Sequence, residues 1–210
     1  MAETGDKAVA STRFTLIALS LAAALLLAAG ALLVVALGSG PRTGAGSVLA
    51  SAIGGPFHLV DQSGKPFTDA NLKGKWHLVF FGYTHCPDVC PTTLNDLSLA
   101  FDKLSKQQRG DVDVVFVTVD PERDTPQVLK EYVGSFDAPI TALTGTADEI
   151  KQAATAYRVY YAKHPRNDGG YDMDHSAVVY VMDPQGRFTA TITPDEAEDA
   201  IAAKLQKLVS

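Results

Sequence analysis

Trp76-His77-Leu78-Val79-Phe80-Phe81-Gly82-Tyr83-Thr84-His85-Cys86-Pro87-Asp88-Val89-Cys90-Pro91 is the stretch on which the reading of this chain turns. Trp76 to Phe81 is a compact apolar run that breaks at Gly82, the pattern of a buried strand. Beyond the break stand the only 2 cysteines of the 210 residues, in a Cys-x-x-x-Cys run. Pro91 suits the first position of a helix, which puts Cys90 at the N-cap and Cys86 in the loop just before it. Free N–H groups and partial positive charge at a helix start favour thiolate over thiol. Two thiolates in one loop serve either redox exchange or a soft metal ion, and the spacing alone leaves both open.

Working outward, strands and helices alternate. Leu94, Leu97, Phe101 and Leu104 recur at helical spacing, and Val112 to Val119 is a second buried strand. Thr125-Pro126 opens a helix whose apolar face is Leu129, Tyr132, Val133 and Phe136, and Thr146-Ala147-Asp148-Glu149 fits a capping box ahead of another. Val159 to Ala162 reads as a further strand, and Lys163 to Gly170 as a polar loop. Ala177 to Met182 and Phe188 to Ile192 flank the turn Asp183-Pro184-Gln185-Gly186 as a hairpin, and Ala197, Ile201, Leu205 and Leu208 mark a last helix. Upstream, Phe57 to Val60 and Lys65 to Thr68 flank Asp61-Gln62-Ser63-Gly64 as an N-terminal β-hairpin. This is an α/β plan. Its cysteines follow the first central strand, where a thioredoxin-like fold keeps its active site and where open α/β sheets bind ligands. Residues 56–210 are therefore expected to form a thioredoxin-like domain.

A domain of about 150 residues buries a core without disulfides, so two closely spaced cysteines are not a scaffold. The net charge of -6, with no basic run, argues against nucleic acid as a partner. From Phe14 to Leu37 there is no charged residue. That length exceeds the roughly 20 apolar residues a bilayer span needs and the 7–15 of a signal-peptide core. The expected organisation is a short cytoplasmic tail (1–13), a single transmembrane helix (14–37), a Gly/Ser/Ala-rich flexible linker (38–55) and the globular domain. Lys7 and Arg13 precede the span and Arg42 follows it, which favours an external domain. No cysteine lies near the span, which argues against a lipidated N-terminus. The tail lacks an arginine-rich transit peptide, which points to a bacterial cytoplasmic (inner) membrane with the domain on the periplasmic side.

Zinc matches the cysteines poorly, because a structural zinc site needs four Cys or His ligands. Copper matches better, since two thiolates and one imidazole suit Cu(I), while Cu(II) would want a further N or O donor. There are 5 histidines. His77 lies within a buried strand and reads as structural, and His58 as a surface residue of the first hairpin. His85 adjoins Cys86 on an extended loop, where neighbours point apart. His164 lies in the polar loop. His175, in the loop Met173-Asp174-His175-Ser176 ahead of the strand Ala177–Met182, is the leading candidate, because in a thioredoxin-like fold that loop faces the Cys loop.

Three separated blocks carry a resemblance: Gly82 to Thr92, Val117-Thr118-Val119-Asp120-Pro121-Glu122-Arg123-Asp124-Thr125-Pro126, and Asp174-His175-Ser176. Together they resemble the Sco/SenC family from about Phe57 to the C-terminus. The resemblance implies a thioredoxin-like domain that binds copper through Cys86, Cys90 and His175. It implies a role in assembling the binuclear copper (CuA) centre of cytochrome c oxidase, with that enzyme's copper-bearing subunit and other copper chaperones as partners. The expected protein is a membrane-anchored monomer.

Other residues carry open readings. Asp88 either tunes the cysteines or forms a turn. Asp174 either orients His175 or caps a loop. Asp120-Pro121-Glu122-Arg123-Asp124 reads first as a solvated acidic loop and second as part of a docking face. A thiol–disulfide oxidoreductase using Cys86 and Cys90 as a redox-active pair is the alternative function, and it would need no distant imidazole. A peroxiredoxin would need a threonine three residues before its reactive cysteine, where this chain has Tyr83 and Pro87.

Overall fold

The computed structural model describes residues 53–209. The tail 1–13, the span 14–37 and the linker up to its last residues, Ile53, Gly54 and Gly55, lie outside the described residues. Among the described residues no helix is long and apolar enough to cross a membrane.

The first element pair among the described residues is the expected hairpin, β1 (His58–Asp61) and β2 (Pro66–Thr68), paired antiparallel. The Asp61 carboxylate accepts from the Ser63 and Lys65 amides at 2.7 and 2.9 Å, and Gly64 takes the left-handed conformation the turn requires. Strands β3 (Trp76–Gly82), β4 (Val112–Thr118) and β5 (Ile140–Thr144) run parallel in the middle of a 7-stranded sheet. Parallel strands are covered on both faces, which is why β3 and β4 read as unbroken Val/Phe/Leu runs. Phe80, Phe81 and Phe116 are fully buried; each contributes roughly 1.5–3 kcal/mol relative to exposure. Strand β1 pairs antiparallel with β5. On the other side β8 (Val179–Met182) pairs antiparallel with β3, and β9 (Phe188–Ile192) with β8.

The helices follow their caps. In α1 (Val89–Asp102), Leu94, Leu97 and Phe101 are buried as their spacing requires. A short α2 (Lys106–Gly110), which the apolar pattern does not reveal, rests on a Ser105/Gln108 capping box. Thr125 caps α3 (Pro126–Val133) and Thr146 caps α4 (Ala147–Ala156), each accepting from the amide three residues on. The last helix, α5 (Glu198–Leu208), buries Ile201, Ala202 and Leu205.

The region before β8 corrects the sequence reading. The predicted strand 159–162 and polar loop 163–170 are a separate antiparallel ribbon, β6 (Tyr161–Pro165) with β7 (Tyr171–His175), closed by the turn at Gly169. Only Met173 of these two strands is buried. An exposed ribbon needs no apolar run, so its sequence looks like a loop. For the same reason His175 closes a strand instead of sitting in a loop, and the strand that follows begins at Val179 rather than Ala177.

Register then places the site. Gly82 ends β3 beside Thr118, and Val179 pairs with Phe80 as β8 enters the sheet from the same edge. The Cys loop, the loop after β4 and the end of the ribbon therefore meet at one edge of the sheet.

Candidate metal centre

The cysteines depart from the edge of β3. A Cβ built on Gly82 would lie 2.7 Å from Cys90 Sγ and 2.7 Å from Phe116 Cε2, so only glycine lets the Cys90 sulfur tuck beneath the strand end. The loop turns at Cys86, whose amide donates to the Tyr83 carbonyl at 3.3 Å. Asp88, not Cys90, is the N-cap of α1. Cys90 lies within the first turn, where Pro91 is tolerated because the amides there have no intrahelical partner to lose. One such amide, that of Cys90, donates to Cys86 Sγ at 3.4 Å. Asp88 itself is exposed and makes no side-chain cap bond; its carboxylate meets only the Thr92 hydroxyl at 3.5 Å.

The third group comes from the end of the ribbon. Cys86, Cys90 and His175 place two sulfurs and one ring nitrogen within 4.8 Å of one another. His175 Nε2 lies 3.3 Å from Cys90 Sγ. Its Nδ1 lies 3.1 Å from the Ser176 carbonyl, which can only accept, so Nδ1 donates there and Nε2 is the ring nitrogen turned to the sulfurs. The ring is held edge-on by Tyr83 and Phe80, at centroid distances of 5.7 and 6.1 Å.

The two thiols differ. Cys86 is half-buried and Cys90 buried. The hydrogen bond from Cys90 brings Cys86 down to about 4, helped by the Asp88 and Cys90 amides and by His175, against the opposing effect of burial. The same bond, then burial, pushes Cys90 far up. The lowering of one thiol and the raising of the other arise from the same contact, so the two titrate as a coupled pair.

The other histidines lie outside this cluster. His77 is buried with Nδ1 3.1 Å from the Lys75 carbonyl, and burial lowers its pKa. His58 is exposed on β1. His85 is exposed and its Nδ1 lies 3.0 Å from the Thr84 hydroxyl. His164 Nε2 meets Asp174 Oδ2 at 2.9 Å, so Asp174 faces away from His175, and the Ser176 carbonyl takes the orienting role.

The loop after β4 overturns its first reading as a solvated loop. Asp120 is 2% exposed and Asp124 0%. Asp124 accepts from the Thr84 amide, the Thr84 hydroxyl and the Thr118 hydroxyl at 3.0, 2.6 and 2.6 Å. Asp120 accepts from Arg123 Nε and, at 2.8 Å, from the Tyr171 hydroxyl. The Arg123 guanidinium lies 3.9 Å from the Tyr171 ring centre on the ribbon and 5.8 Å from that of Tyr83. The sequence signal that could have exposed this network is two carboxylates directly after a buried strand, beside a threonine cap. Charge alone reads as surface.

Residues 46–210 match the SCO1/SenC family model. The chain is 47% identical over 154 residues to Protein SCO1 homolog 1, mitochondrial, of Arabidopsis thaliana, covering 73% of this chain and 45% of that protein. It is 46% identical over 139 residues to Protein SCO1, mitochondrial, of Saccharomyces cerevisiae, covering 65% of this chain and 47% of that protein. The chain thus spans about half the length of these curated relatives. Among solved structures it resembles copper-bound ScoI of Bradyrhizobium japonicum, with TM-score 0.70 and 48% identity over 75% of this chain and 99% of that one. It also resembles copper-bound ScoI of Arabidopsis thaliana, with TM-score 0.71 and 44% identity over 75% of this chain and 98% of that one.

Proposed function

This chain belongs to the SCO1/SenC family, and from that premise we propose that it is a copper metallochaperone whose cargo is held by Cys86, Cys90 and His175. The reading rests on one observation above the others. Two sulfurs and an imidazole nitrogen converge within 4.8 Å at the sheet edge. Soft sulfur donors with a single imidazole suit Cu(I), and a third donor from outside the loop distinguishes a metal site from a dithiol. Cys86 already favours the anionic form that ligation needs, and Cys90 must give up its proton, so loading releases protons.

The recipient in this reading is the binuclear copper (CuA) centre of cytochrome c oxidase, on that enzyme's copper-bearing subunit. Residues 14–37 tether the domain, through the linker 38–55, to a bacterial inner membrane with the site on the periplasmic side.

Copper titration of the full-length chain beside Cys86→Ser, Cys90→Ser and His175→Ala tests the site. The expected result is one ion per wild-type chain, no tight binding in either serine variant, and affinity lower by about tenfold or more in His175→Ala. Wild-type affinity in His175→Ala would remove the imidazole from the site.

A second reading, thiol–disulfide exchange, is favoured by the asymmetry of the sulfurs. Cys86 is the accessible thiolate and Cys90 the buried thiol that resolves a mixed disulfide. Cys86 attacks a partner's disulfide and expels one partner thiolate. Cys90 loses its proton, attacks Cys86 and expels the other, so two electrons pass to the partner. Exchange rates that survive His175→Ala while copper affinity falls would separate the two activities.

A further inference from the structure

We propose that Asp124 is a positioning residue for the Cys86–Cys90 site, one that sets the loop before it is loaded and fixes both its copper affinity and its thiol–disulfide equilibrium. The inference deepens the copper reading and rests on it in part.

Asp124 is a fully buried carboxylate, and among the described residues no lysine or arginine pairs with it. The ion-pair distance it does make, 4.0 Å, is to the exposed ring of His85. Burying an anion without a cationic partner is costly, and an apolar side chain would fill the space at lower cost. The cost is offset by three hydrogen bonds to the carboxylate, two of them at the short distance typical of a charged acceptor.

Where those bonds go defines the role. Thr118, at the end of β4, is one partner. The Asp120 amide donates to the Thr118 hydroxyl oxygen at 2.9 Å, so that hydroxyl directs its own proton at Asp124. The other two bonds both come from Thr84, amide and hydroxyl, two residues ahead of Cys86. The sheet does not need them, because the β3–β4 ladder is complete through Gly82–Thr118 and the Val119 amide already donates to Gly82 at 2.8 Å. They act on the loop instead. With Thr84 held at two atoms, the Tyr83–Cys86 turn has a fixed start, and Cys86 Sγ comes to lie over the Cys90 amide. Asp124 itself is anchored by its amide on the Asp120 carbonyl at 3.0 Å and by the α3 cap that follows at Thr125. A second, rigid loop thereby dictates the conformation of the thiol loop.

The test uses the full-length chain carrying Asp124→Ala, Asp124→Asn or Thr84→Val, with folding checked by circular dichroism and thermal melting. Two constants are read on each folded sample: Cu(I) affinity by competition with a chromophoric chelator, and the metal-free dithiol–disulfide equilibrium against a reference thiol buffer. Asp124→Ala is expected to lose about tenfold in copper affinity. Its thiol equilibrium should shift about tenfold, which is about 30 mV for a two-electron couple. Thr84→Val, which loses the hydroxyl bond and keeps the amide bond, is expected to lose about threefold in affinity. Asp124→Asn, which retains an acceptor oxygen, should recover most of the loss. Should Asp124→Ala fail to fold, Thr84→Val decides alone, since Asp124 keeps its other two donors there. A carboxylate that serves only the fold would lower melting temperatures while leaving both constants at wild-type values, and that outcome overturns the proposal. If the wild-type chain binds no copper, the metallochaperone reading fails, and the metal-free equilibrium still decides the role of Asp124.

Discussion

Adding one methyl group at Gly82 should damage the site more selectively than most core substitutions. The new Cβ would stand 2.7 Å from Cys90 Sγ and 2.7 and 3.2 Å from two atoms of the Phe116 ring. Ordinary contacts between such atoms lie at about 3.5–4.0 Å, so something must move by about 1 Å. Phe116 is fully buried in the central strand and cannot retreat, whereas Cys90 lies in the first turn of α1 and faces the site. Overpacking of this kind costs about 1–3 kcal/mol. At about 2–4 °C per kcal/mol for a domain of this size, Gly82→Ala should melt about 2–12 °C below wild type. The larger effect is on binding. Cys90 Sγ lies 3.3 Å from His175 Nε2, and a shift of about 1 Å there should weaken copper binding about tenfold or more. Gly110→Ala is the control, because a Cβ there meets nothing within 4 Å; it should leave both quantities unchanged or raise stability slightly. Differential scanning calorimetry and chelator competition on the two variants settle the matter. Wild-type affinity in a folded Gly82→Ala chain would refute the claim that glycine is required by the position of the sulfur.

Stability of the metal-free chain should depend on pH through the two thiols. Cys86 titrates near 4 in the fold and near 9.0 when unperturbed, so between those values the native chain binds fewer protons and stability rises with pH. Cys90 is raised, so above 9.0 the native chain keeps a proton the unfolded chain loses, and stability falls. The difference between wild-type and Cys86→Ser denaturant melts should therefore grow from pH 5 to 8; a flat difference would contradict the asymmetry. Cys90→Ala should return Cys86 toward its ordinary value, read as ultraviolet thiolate absorbance against pH, because the bond from Cys90 is the largest cause of its depression. His164→Ala and Asp174→Asn, whose side chains pair with each other away from the cluster, should leave copper affinity within about twofold of wild type. Thr146→Ala should cost about 1 kcal/mol in thermal unfolding through loss of the α4 cap and leave copper titrations unaltered.

The elements that position the thiols were legible because they obey short-range rules. The buried strand 76–82, the apolar spacing of Leu94, Leu97 and Phe101, and the caps at Thr125 and Thr146 each announce themselves within a few residues. Of the ribbon only the start of its first strand was legible, because its strands pair only with each other and bury little beyond Met173. The N-cap was misplaced by two residues, since Pro91 is compatible with several positions of a first turn. The orientation of His175 by a carbonyl rather than by Asp174 is beyond any sequence pattern, because every residue carries a carbonyl. Asp120 and Asp124 were hidden for a different reason. A carboxylate declares charge in the sequence, and its burial depends on hydroxyl and amide donors up to 51 positions away.

The donors of the proposed copper site are divided unequally along the chain: Cys86 and Cys90 belong to one loop, while His175 is 85 positions from Cys90. In the fold His175 is brought to the thiols by the segment that leads into β8, whose pairing with β3 closes the sheet on that side. An unfolded or nascent chain thus already carries two sulfur donors at short range, before the third is in place. Copper captured at that stage would bind the unfolded state too, and the stabilisation that cargo gives the native fold would be smaller than native affinity alone implies. In the proposed site, what the sheet adds on closing is the step from a two-donor hold to a three-donor one, so the free energy gained at that step would link completion of the fold to retention of copper.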